Sequence, residues 1–307
     1  MPMLEVVDLS ISFTQYAKGL QQKTVQVIQG LDLTVHAGEL VAVVGSSGSG
    51  KSLLAHAIMG ILPDNATMSG SLIFDGKPLN SERQAELRGK EIALVPQSVN
   101  YLDPLMKVGA QVRYSVRGAD AASEQRKAFE RYQLAPSVEQ MFPFQLSGGM
   151  ARRVLVSTAT LSGARLIIAD EPTPGLNPEV LQETLQQFRE LANQGCAVLL
   201  ITHDIEAALL IADRVAVFYA GTTVEIAAAS DFTGDGDHLR HPYSKALWRA
   251  LPQNGFIPIP GSQPLPNSLP LGCLFSPRCE KATAECFDTR PNMLPIKGGS
   301  ARCFHVS

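Results

Sequence analysis

Short apolar runs separated by helix-like stretches dominate the first 230 residues of the chain. Aliphatic and β-branched residues fill three of these runs, which are typical of strands buried on both faces: ELVAVVG at 39–45, ARLIIAD at 164–170 and GCAVLLITHD at 195–204. Residues 53–61 (LLAHAIMGI) and most of residues 104–165 have a helix-like pattern. Alternating strands and helices predict an α/β fold whose core sheet is largely parallel.

Other apolar runs are flanked by turn residues, which favours antiparallel pairing. Residues 3–13 and 25–35 predict two strands around a turn-rich insertion, and residues 66–80 predict a hairpin region. Residues 214–227 predict a final hairpin around Gly221.

The composition of the chain changes after this last hairpin. Residues 252–270 contain six prolines and few charges, which is typical of an extended linker or of a chain that wraps a surface. Four of the five cysteines follow, at Cys273, Cys279, Cys286 and Cys303. We therefore predict a domain at residues 1–230 and a separately organised extension at residues 231–307.

Composition and charge exclude several classes of protein. Hydrophobic residues make up 45% of the chain and charged residues 18%, an ordinary globular balance. A net charge of −3 argues against a basic surface that holds nucleic acid. No apolar run approaches the roughly 18 residues of a membrane helix, and MPMLEVVDLS lacks the pattern of a signal peptide. We expect a soluble chain that reaches a membrane only through a partner.

Residues 45–52 (GSSGSGKS) match the phosphate-binding pattern G-x-x-x-x-G-K-[ST] between a predicted strand and a predicted helix. In such a loop the backbone N–H groups point at phosphate oxygens, the lysine neutralises the β- and γ-phosphates and the last serine ligates Mg²⁺. The predicted nucleotide-binding residues are Gly45, Ser46, Ser47, Gly48, Ser49, Gly50, Lys51 and Ser52. The loop alone does not separate kinases, GTPases, motors and transport ATPases.

A pair of carboxylates ends the apolar strand in LIIADE at 166–171. Asp170 suits the coordination shell of Mg²⁺, and Glu171 is placed to orient or polarise an attacking water. Transfer of a phosphoryl group to water depends on such positioning and on charge stabilisation. In a chain that also has a phosphate loop, the pair predicts hydrolysis.

A second anion-binding helix start is predicted at LSGGM, residues 146–150, because a helix-like run follows Ser147, Gly148 and Gly149. With the preceding motifs, this stretch resembles the ATP-binding-cassette (ABC) ATPases over about residues 3–227. The resemblance implies a P-loop NTPase with a RecA-like core and parallel sheet, an antiparallel β subdomain and a helical subdomain at about 98–160. It also implies that the SGG residues complete the ATP site of the opposite subunit in a head-to-tail dimer.

The resemblance assigns roles to further residues. Gln97 matches the glutamine that senses Mg²⁺ and the γ-phosphate, and His203 matches the switch histidine that contacts the γ-phosphate. Phe13 matches the aromatic residue that stacks on adenine, with Tyr16 as its rival. The implied catalytic residues are Glu171, His203 and Gln97, and the implied Mg²⁺ residues are Ser52, Gln97 and Asp170.

The chain departs from the usual family pattern at two places. Met150 stands where a glutamine commonly follows SGG, and the next residues read ARR. Asn177 in PTPGLNP replaces the aspartate of the loop that couples the two sites across the dimer. This replacement fits two ATP sites that are not equivalent, as in a heterodimer, and it equally fits a neutral substitution.

The segment after the cassette indicates a branch of the family. HPYSKALWRALP at 241–252, the proline-rich stretch and GCLFSPRCEKATAEC at 272–286 resemble ATPases of the oligopeptide, dipeptide and nickel importers. Tails of this kind have been associated with a [4Fe–4S] cluster, so Cys273, Cys279, Cys286 and Cys303 are its implied ligands. Stable disulfides are unexpected in a cytosolic ATPase, and the closely spaced pairs of most zinc sites are absent from this tail. Reduced cysteines packed as small hydrophobes and a zinc site remain as alternatives.

The resemblance predicts an ATP- and Mg²⁺-dependent ATPase that powers import of a small solute, with peptide the default and nickel or a metal–chelator complex the alternative. Its implied partners are a second ATPase subunit of a different chain, two membrane-spanning permease subunits and an extracytoplasmic solute-binding protein. The implied location is the cytoplasmic face of the inner membrane. A soluble ABC ATPase that acts on nucleic acid or ribosomes is the main rival function. A small-molecule kinase is a second rival, and it would need neither LSGGM nor His203.

Overall fold

The computed structural model describes residues 1–16, 21–118, 120–296 and 298–306. Its strands are β1 (Pro2–Tyr16), β2 (Gln22–His36), β3 (Leu40–Gly45), β4 (Ala66–Phe74), β5 (Lys77–Pro78), β6 (Ile92–Val95), β7 (Leu166–Asp170), β8 (Ala197–Ile201), β9 (Arg214–Tyr219), β10 (Thr222–Ala228), β11 (Leu294–Ile296) and β12 (Gly299–Ala301). Its α-helices are α1 (Lys51–Met59), α2 (Ser81–Leu87), α3 (Val108–Ser115), α4 (Ala121–Arg131), α5 (Gly148–Thr160), α6 (Pro178–Asn193), α7 (Ile205–Leu209), α8 (Pro242–Arg249) and α9 (Ala284–Asp288).

The core is an eight-stranded sheet in the order β11-β12-β10-β9-β3-β8-β7-β6. Strands β3, β6, β7, β8 and β9 pair in parallel, whereas β9–β10, β10–β12 and β11–β12 pair antiparallel. Every residue of β3, β7 and β8 is buried, as their continuous apolar runs predict. The predicted α/β fold is confirmed.

A separate antiparallel sheet of order β2-β1-β4-β5 covers one side of this core. Apolar residues of β1 and β2, such as Leu4, Ile11 and Ile28, pack with Leu54 and Ile58 of helix α1 in one buried cluster. The predicted hairpins at 66–80 and 214–227 appear as the β4–β5 and β9–β10 pairs. The turn-rich insertion falls partly on residues 17–20, which lie outside the described residues.

Helices α3, α4 and α5 form a smaller unit with its own apolar cluster. Val112 of α3, Phe129 of α4 and Val154 of α5 meet in this cluster, and all three are buried. Short 3₁₀ turns at Pro136–Gln140 and Pro143–Gln145 lead into α5. These helices lie within the predicted helical subdomain, whose limits remain a prediction.

The C-terminal extension is attached to the core sheet rather than free of it. Strand β12 pairs with β10, so Ala301 lies opposite Glu225. Trp248, Leu274 and Phe275 of the extension share an apolar cluster with Val217 and other core residues of β3 and β9. The extension therefore completes one edge of the sheet, and the domain boundary near residue 230 stays a prediction.

His241 at the start of α8 makes a pH dependence of stability expected. Its side chain is buried, its Nδ1 accepts a hydrogen bond from the Tyr243 N–H at 3.0 Å, and burial lowers its pKa from 6.5 to about 3. Below pH 6.5 the unfolded chain therefore binds a proton at His241, whereas the folded chain binds it only near pH 3. The free energy of unfolding does not depend on this group above pH 6.5, and it decreases as the pH falls from 6.5 towards 3.

Between pH 7.5 and 5.0, His241 should lower the free energy of unfolding by about 2 kcal/mol, at about 1.4 kcal/mol per pH unit below 6.5. Urea unfolding at both pH values measures this loss. His241→Asn keeps a capping acceptor for the Tyr243 N–H and should remove most of the loss. The same substitution at exposed His238 is the control, and an equal loss in wild type and His241→Asn would contradict the prediction.

Candidate functional site

The phosphate loop joins the end of β3 to the start of α1, as predicted. Gly50 precedes the helix with φ +94°, and a Cβ there would lie 2.4 Å from the Ile28 side chain, so the position requires glycine. Gly48 also has a positive φ, +76°. The loop therefore curls above the first turn of α1, where unpaired N–H groups attract phosphate.

Lys51 is held at this loop by backbone carbonyls. Its ammonium donates to the carbonyl oxygens of Gly45 at 2.8 Å and Ser46 at 3.0 Å. Burial lowers the pKa of Lys51, and the charges of Glu171 and Asp170 oppose this shift. A bound phosphate would replace the two carbonyls as the acceptor for the Lys51 ammonium. A buried cation favours such an anionic partner.

Ser52 and Asp170 form the part of the site suited to a divalent cation. The Ser52 hydroxyl donates to Asp170 Oδ1 at 3.1 Å, and Asp170 is buried at the end of β7. Burial raises the pKa of Asp170, and the hydrogen bond from Ser52 opposes the rise. A hydroxyl and a carboxylate side by side are oxygen ligands of the kind Mg²⁺ prefers, so the residues present fit this ion.

Glu171 and His203 lie together beside these residues. His203 Nδ1 is 2.9 Å from both carboxylate oxygens of Glu171. The His203 side chain is 66% exposed, whereas the Glu171 side chain is only 9% exposed. Glu171 has φ +48°, an uncommon value for a residue with a side chain, and its N–H donates to the Ile201 carbonyl at 2.8 Å. The sheet therefore holds this carboxylate in a strained, fixed position at the edge of the site.

Lys51, Ser52, Glu171 and His203 line one cavity of about 640 Å³, and the buried Asp170 lies outside its lining. The predicted residues that line it are Ser47, Gly48, Gly50, Lys51, Ser52, Gln97, Glu171 and His203. They converge because the carboxyl ends of parallel strands β3, β7 and β8 meet at the same edge of the sheet. Three further lining residues, Val27, Leu53 and Pro174, were missed by the sequence analysis, because isolated apolar residues carry no local signal of a binding role.

The other predicted nucleotide-binding residues lie outside the cavity lining. Gly45 packs beneath the loop, where a Cβ would lie 2.4 Å from the Phe218 carbonyl oxygen. Ser49 is buried, and the Ser46 hydroxyl donates a hydrogen bond to Gln263 Oε1. Phe13 is half-buried against the apolar cluster of the antiparallel sheet, opposite Val25 and Ala66. Its stacking on adenine stays a prediction.

The LSGGM stretch starts helix α5, as its sequence predicts. Ser147 caps the helix, and its hydroxyl accepts a hydrogen bond from the Met150 N–H at 3.3 Å. A Cβ on Gly149 would lie 2.9 Å from the Gly175 carbonyl oxygen, so glycine permits a close approach of these two loops. Neither Ser147, Gly148 nor Gly149 lines the cavity, and their role in an opposite site stays a prediction.

Asn177 caps helix α6 within the same group of loops. Its side-chain oxygen accepts from the Val180 N–H at 2.8 Å. Asparagine and aspartate cap helices about equally well. The local structure thus accepts either residue, which leaves both explanations of the replacement open.

Arg152 connects α5 to the glutamine loop and was not assigned a role from the sequence. Its buried guanidinium donates to the carbonyl oxygens of Pro96 at 2.7 Å and Gln97 at 2.5 Å. Burial lowers the pKa of Arg152, and the charges of Asp170 and Glu171 oppose the shift. The helix that starts with the SGG residues therefore fixes the backbone beside Gln97.

Arg152→Met should lower ATP turnover at least fivefold and the free energy of unfolding by about 2–3 kcal/mol, because two carbonyls lose charge-assisted hydrogen bonds. Phosphate release and urea unfolding measure the two effects. Arg88→Met is the matched control, because Arg88 also donates to two carbonyls, those of Met59 and Gly60, outside the cavity lining. Equal turnover in both variants would show that the Arg152 contacts only stabilise the fold.

The four tail cysteines converge in space although they are far apart in sequence. All four line one small cavity of about 10 Å³, with His241 and His305 among its other residues. Cys286 Sγ lies 3.4 Å from His305 Nε2, and every cysteine is a free thiol. Burial raises the pKa of Cys273 to about 11 and also raises the pKa values of Cys279 and Cys303. Among the described residues, no group of three or more His, Cys, Asp or Glu side chains is arranged so that it could hold a metal ion.

Within the described ranges, no helix combines the length and apolar character needed to cross a bilayer.

Comparisons with known proteins find similarity in both the part of the chain that forms this site and the tail. The sequence pattern of the ABC transporter family matches residues 28–174, and that of the oligopeptide/dipeptide transporter C-terminal region matches residues 224–286. The oligopeptide transport ATP-binding protein OppD of Haemophilus influenzae is 34% identical over 98% of this chain and 96% of its own length. The corresponding protein AppD of Bacillus subtilis is 33% identical over 98% of this chain and 96% of its own length.

Solved structures of ABC proteins share the fold. A dimeric ATP-binding cassette in a post-hydrolysis state with ADP and Pi has a TM-score of 0.65, with 23% identity over 74% of this chain and 99% of its own. An ATP-binding subunit of an ABC transporter has a TM-score of 0.61, with 25% identity over 75% of this chain and 91% of its own. The chain belongs to the ATP-binding-cassette ATPases, in the branch of the oligopeptide and dipeptide transporters.

Proposed function

We propose that this chain is the ATP-hydrolysing subunit that powers import of peptides across the cytoplasmic membrane. One observation carries the proposal. The similarity to oligopeptide transport ATP-binding proteins runs through both the cassette and the extension, over 96–98% of the chain. The rival function on nucleic acid has no support among these relatives, and the net charge of −3 also argues against it.

In this function the residues in and beside the cavity have three separate roles: phosphate binding, Mg²⁺ binding and activation of water. Lys51 and the N–H groups of the phosphate loop bind the β- and γ-phosphates, and Ser52, Asp170 and Gln97 would hold Mg²⁺. That ion neutralises charge on the phosphate oxygens when it is bound. Glu171, fixed at the end of β7, orients and polarises the attacking water, and His203 beside it contacts the γ-phosphate. Excluding other water and fixing these groups supplies most of the rate enhancement.

Two copies of the cassette are needed for a complete site in this proposal. Ser147, Gly148 and Gly149 lie outside the chain's own cavity, with their helix start available to the ATP of a partner subunit. The second ATPase subunit is proposed to be a different chain, because Asn177 replaces the usual aspartate at the coupling loop. Two permease subunits and an extracytoplasmic binding protein complete the importer, and the ATPase lies at the cytoplasmic face of the membrane.

Peptide is the proposed solute class, because the relatives named above are oligopeptide transport proteins. Import of nickel or a metal–chelator complex remains a prediction from the sequence, and none of those relatives supports it. The solute itself contacts other subunits, so assembled transport has to decide it.

Uptake by the assembled transporter tests the proposal. The chain would be reconstituted in proteoliposomes with the permease and second ATPase subunits of its own genome and the matching binding protein. Uptake of radiolabelled penta-alanine and of ⁶³Ni²⁺ would be compared, with ATP inside or outside the vesicles. Peptide uptake that needs ATP on the side of this chain supports the proposal. Nickel uptake without peptide uptake, or neither, would overturn it.

We further propose that the four tail cysteines hold a [4Fe–4S] cluster. Convergence of four thiols on one cavity supports a four-thiolate centre, and the chemistry of the donors fits it. As the side chains are placed among the described residues, no group of three or more His, Cys, Asp or Glu could hold a metal ion, so the proposal depends on the convergence of the thiols and on their chemistry. The cavity is now about 10 Å³, so the sulfurs have to move apart for a cluster to enter.

Metal analysis of anaerobically purified protein tests the cluster. Near-stoichiometric iron and acid-labile sulfide are expected in wild type and in the control Cys196→Ser, whose cysteine lies outside the tail. Both should be lost in Cys279→Ser. Zinc without sulfide, or no metal at all, would refute the cluster while leaving the ATPase function untouched.

A further inference from the structure

The C-terminal extension reaches the phosphate loop of its own chain at Ser46. The Ser46 hydroxyl donates a hydrogen bond to Gln263 Oε1 at 2.5 Å. Gln263 belongs to the proline-rich segment and lies 217 positions further along the chain. The stretch that the sequence predicts to be a linker or a chain wrapping a surface therefore contacts the second residue of the ATP-binding motif.

Tyr243 of helix α8 is buried where the extension packs on the core sheet. Its ring is buried between Tyr219 and Phe275, at centroid distances of 4.4 Å and 5.4 Å. Burial raises the pKa of the Tyr243 hydroxyl. The ring contacts hold helix α8 against the Tyr219 end of strand β9.

Ser46 also contacts Lys51, the lysine of the phosphate loop. Its carbonyl oxygen accepts from Lys51 Nζ at 3.0 Å, while its side chain is held by the extension. Ser46 therefore contacts both Gln263 of the extension and Lys51, the residue proposed to bind the phosphates. Movement of Ser46 would change both the loop backbone and the lysine position.

The elements that carry Tyr243 and Gln263 are themselves fixed. Arg278 donates to the carbonyl oxygens of Ile259 at 3.2 Å and Pro260 at 2.7 Å, just before Gln263. The same guanidinium donates to the Tyr219 hydroxyl at 3.2 Å, and the Tyr219 ring packs on Tyr243. One arginine next to the cysteine cavity thus fixes the segment just before Gln263 and packs with the rings around Tyr243.

We propose that Gln263 is a positioning residue that holds the phosphate loop in its ATP-binding conformation through Ser46. Holding a loop in its bound shape before the ligand arrives lowers the entropy lost on binding. The extension is then a part of the ATP site in addition to a tail. This inference goes beyond the proposed function and depends only on ATP binding, whatever the transported solute or the metal content of the tail.

Equilibrium binding of mant-ATP with Mg²⁺ to the full chain tests the proposal. Gln263→Ala removes the hydrogen bond with the Ser46 hydroxyl. This variant should raise the Kd for mant-ATP roughly three- to tenfold, the effect of one hydrogen bond. In the assembled transporter the KM for ATP should rise by a similar factor, while kcat changes less than twofold. The control is Gln253→Ala, an exposed glutamine of the same segment.

A double-mutant cycle separates positioning from a general effect on the fold. In a Ser46→Ala background, where the hydroxyl is gone, Gln263→Ala should have less than half its effect on the Kd. Unchanged binding in Gln263→Ala would overturn the proposal, and so would an equal effect of Gln263→Ala with and without the Ser46 hydroxyl.

Discussion

Replacing Glu171 with glutamine is expected to lower ATP turnover by at least a factor of about 100, because the amide cannot act as the carboxylate that polarises water. The buried carboxyl group lies beside His203 at 2.9 Å and its backbone is held on Ile201, so the isosteric amide should leave the local structure in place. Mant-ATP binding should therefore stay within about threefold of wild type. Phosphate release by the assembled transporter measures the first effect.

Glu179→Gln is the matched control for this experiment. Glu179 is exposed in the first turn of α6, the helix that follows Glu171 in the chain, and the Glu179→Gln variant should retain wild-type turnover. Residual activity of Glu171→Gln above about a tenth of wild type would place the role of general base on another group. Loss of mant-ATP binding would instead show that the carboxylate serves mainly to keep Lys51 in place.

Gly221→Ala is expected to be the most destabilising single substitution considered, with a loss of about 3–5 kcal/mol in the free energy of unfolding. Gly221 has φ +88°, and an added Cβ would lie 2.0 Å from the Val27 carbonyl oxygen. Both its backbone groups bond to neighbours, with its N–H on Ser49 and its carbonyl on the N–H of Gln29. The turn cannot retreat from the clash without breaking these bonds.

Gly195→Ala separates the clash from backbone strain. Gly195 has a similar φ of +100°, and a Cβ there would meet no atom within 4 Å. Urea unfolding should show a loss of only about 1–2 kcal/mol for this control. Gly221→Ala should also weaken mant-ATP binding, because Val27 lines the cavity and Ser49 belongs to the phosphate loop. Equal losses in the two variants would mean that the strand β2 yields to the added methyl group.

The local features of the site could be predicted from sequence, because each depends on a few consecutive residues. Glycines at 48 and 50 and the lysine that follows determine a phosphate loop wherever a strand precedes and a helix follows. The continuous apolar runs of β3, β7 and β8 predict buried parallel strands, whose carboxyl ends have to meet at one edge. Lys51, Glu171 and His203 converge in the structure for that reason.

Isolated residues gave no comparable signal. Val27 and Pro174 line the cavity, and Arg152 fixes the backbone of Gln97, yet none of them belongs to a pattern that predicts such a role. Phe13, assigned by resemblance alone, lies in the antiparallel sheet outside the cavity lining. A motif identifies which backbone shape a segment adopts, whereas a lining residue depends on what another segment places opposite it.

The sequence by itself determined the nucleotide chemistry of this protein, its α/β core and its change of composition near residue 230. Only the tertiary structure decided that the extension completes the core sheet through β12 and meets the phosphate loop at Ser46. The physical reason is distance along the chain. Helix starts, glycine turns and buried strands depend on neighbouring residues, whereas contacts such as Ser46–Gln263 form only when the packing of the whole domain brings their segments together.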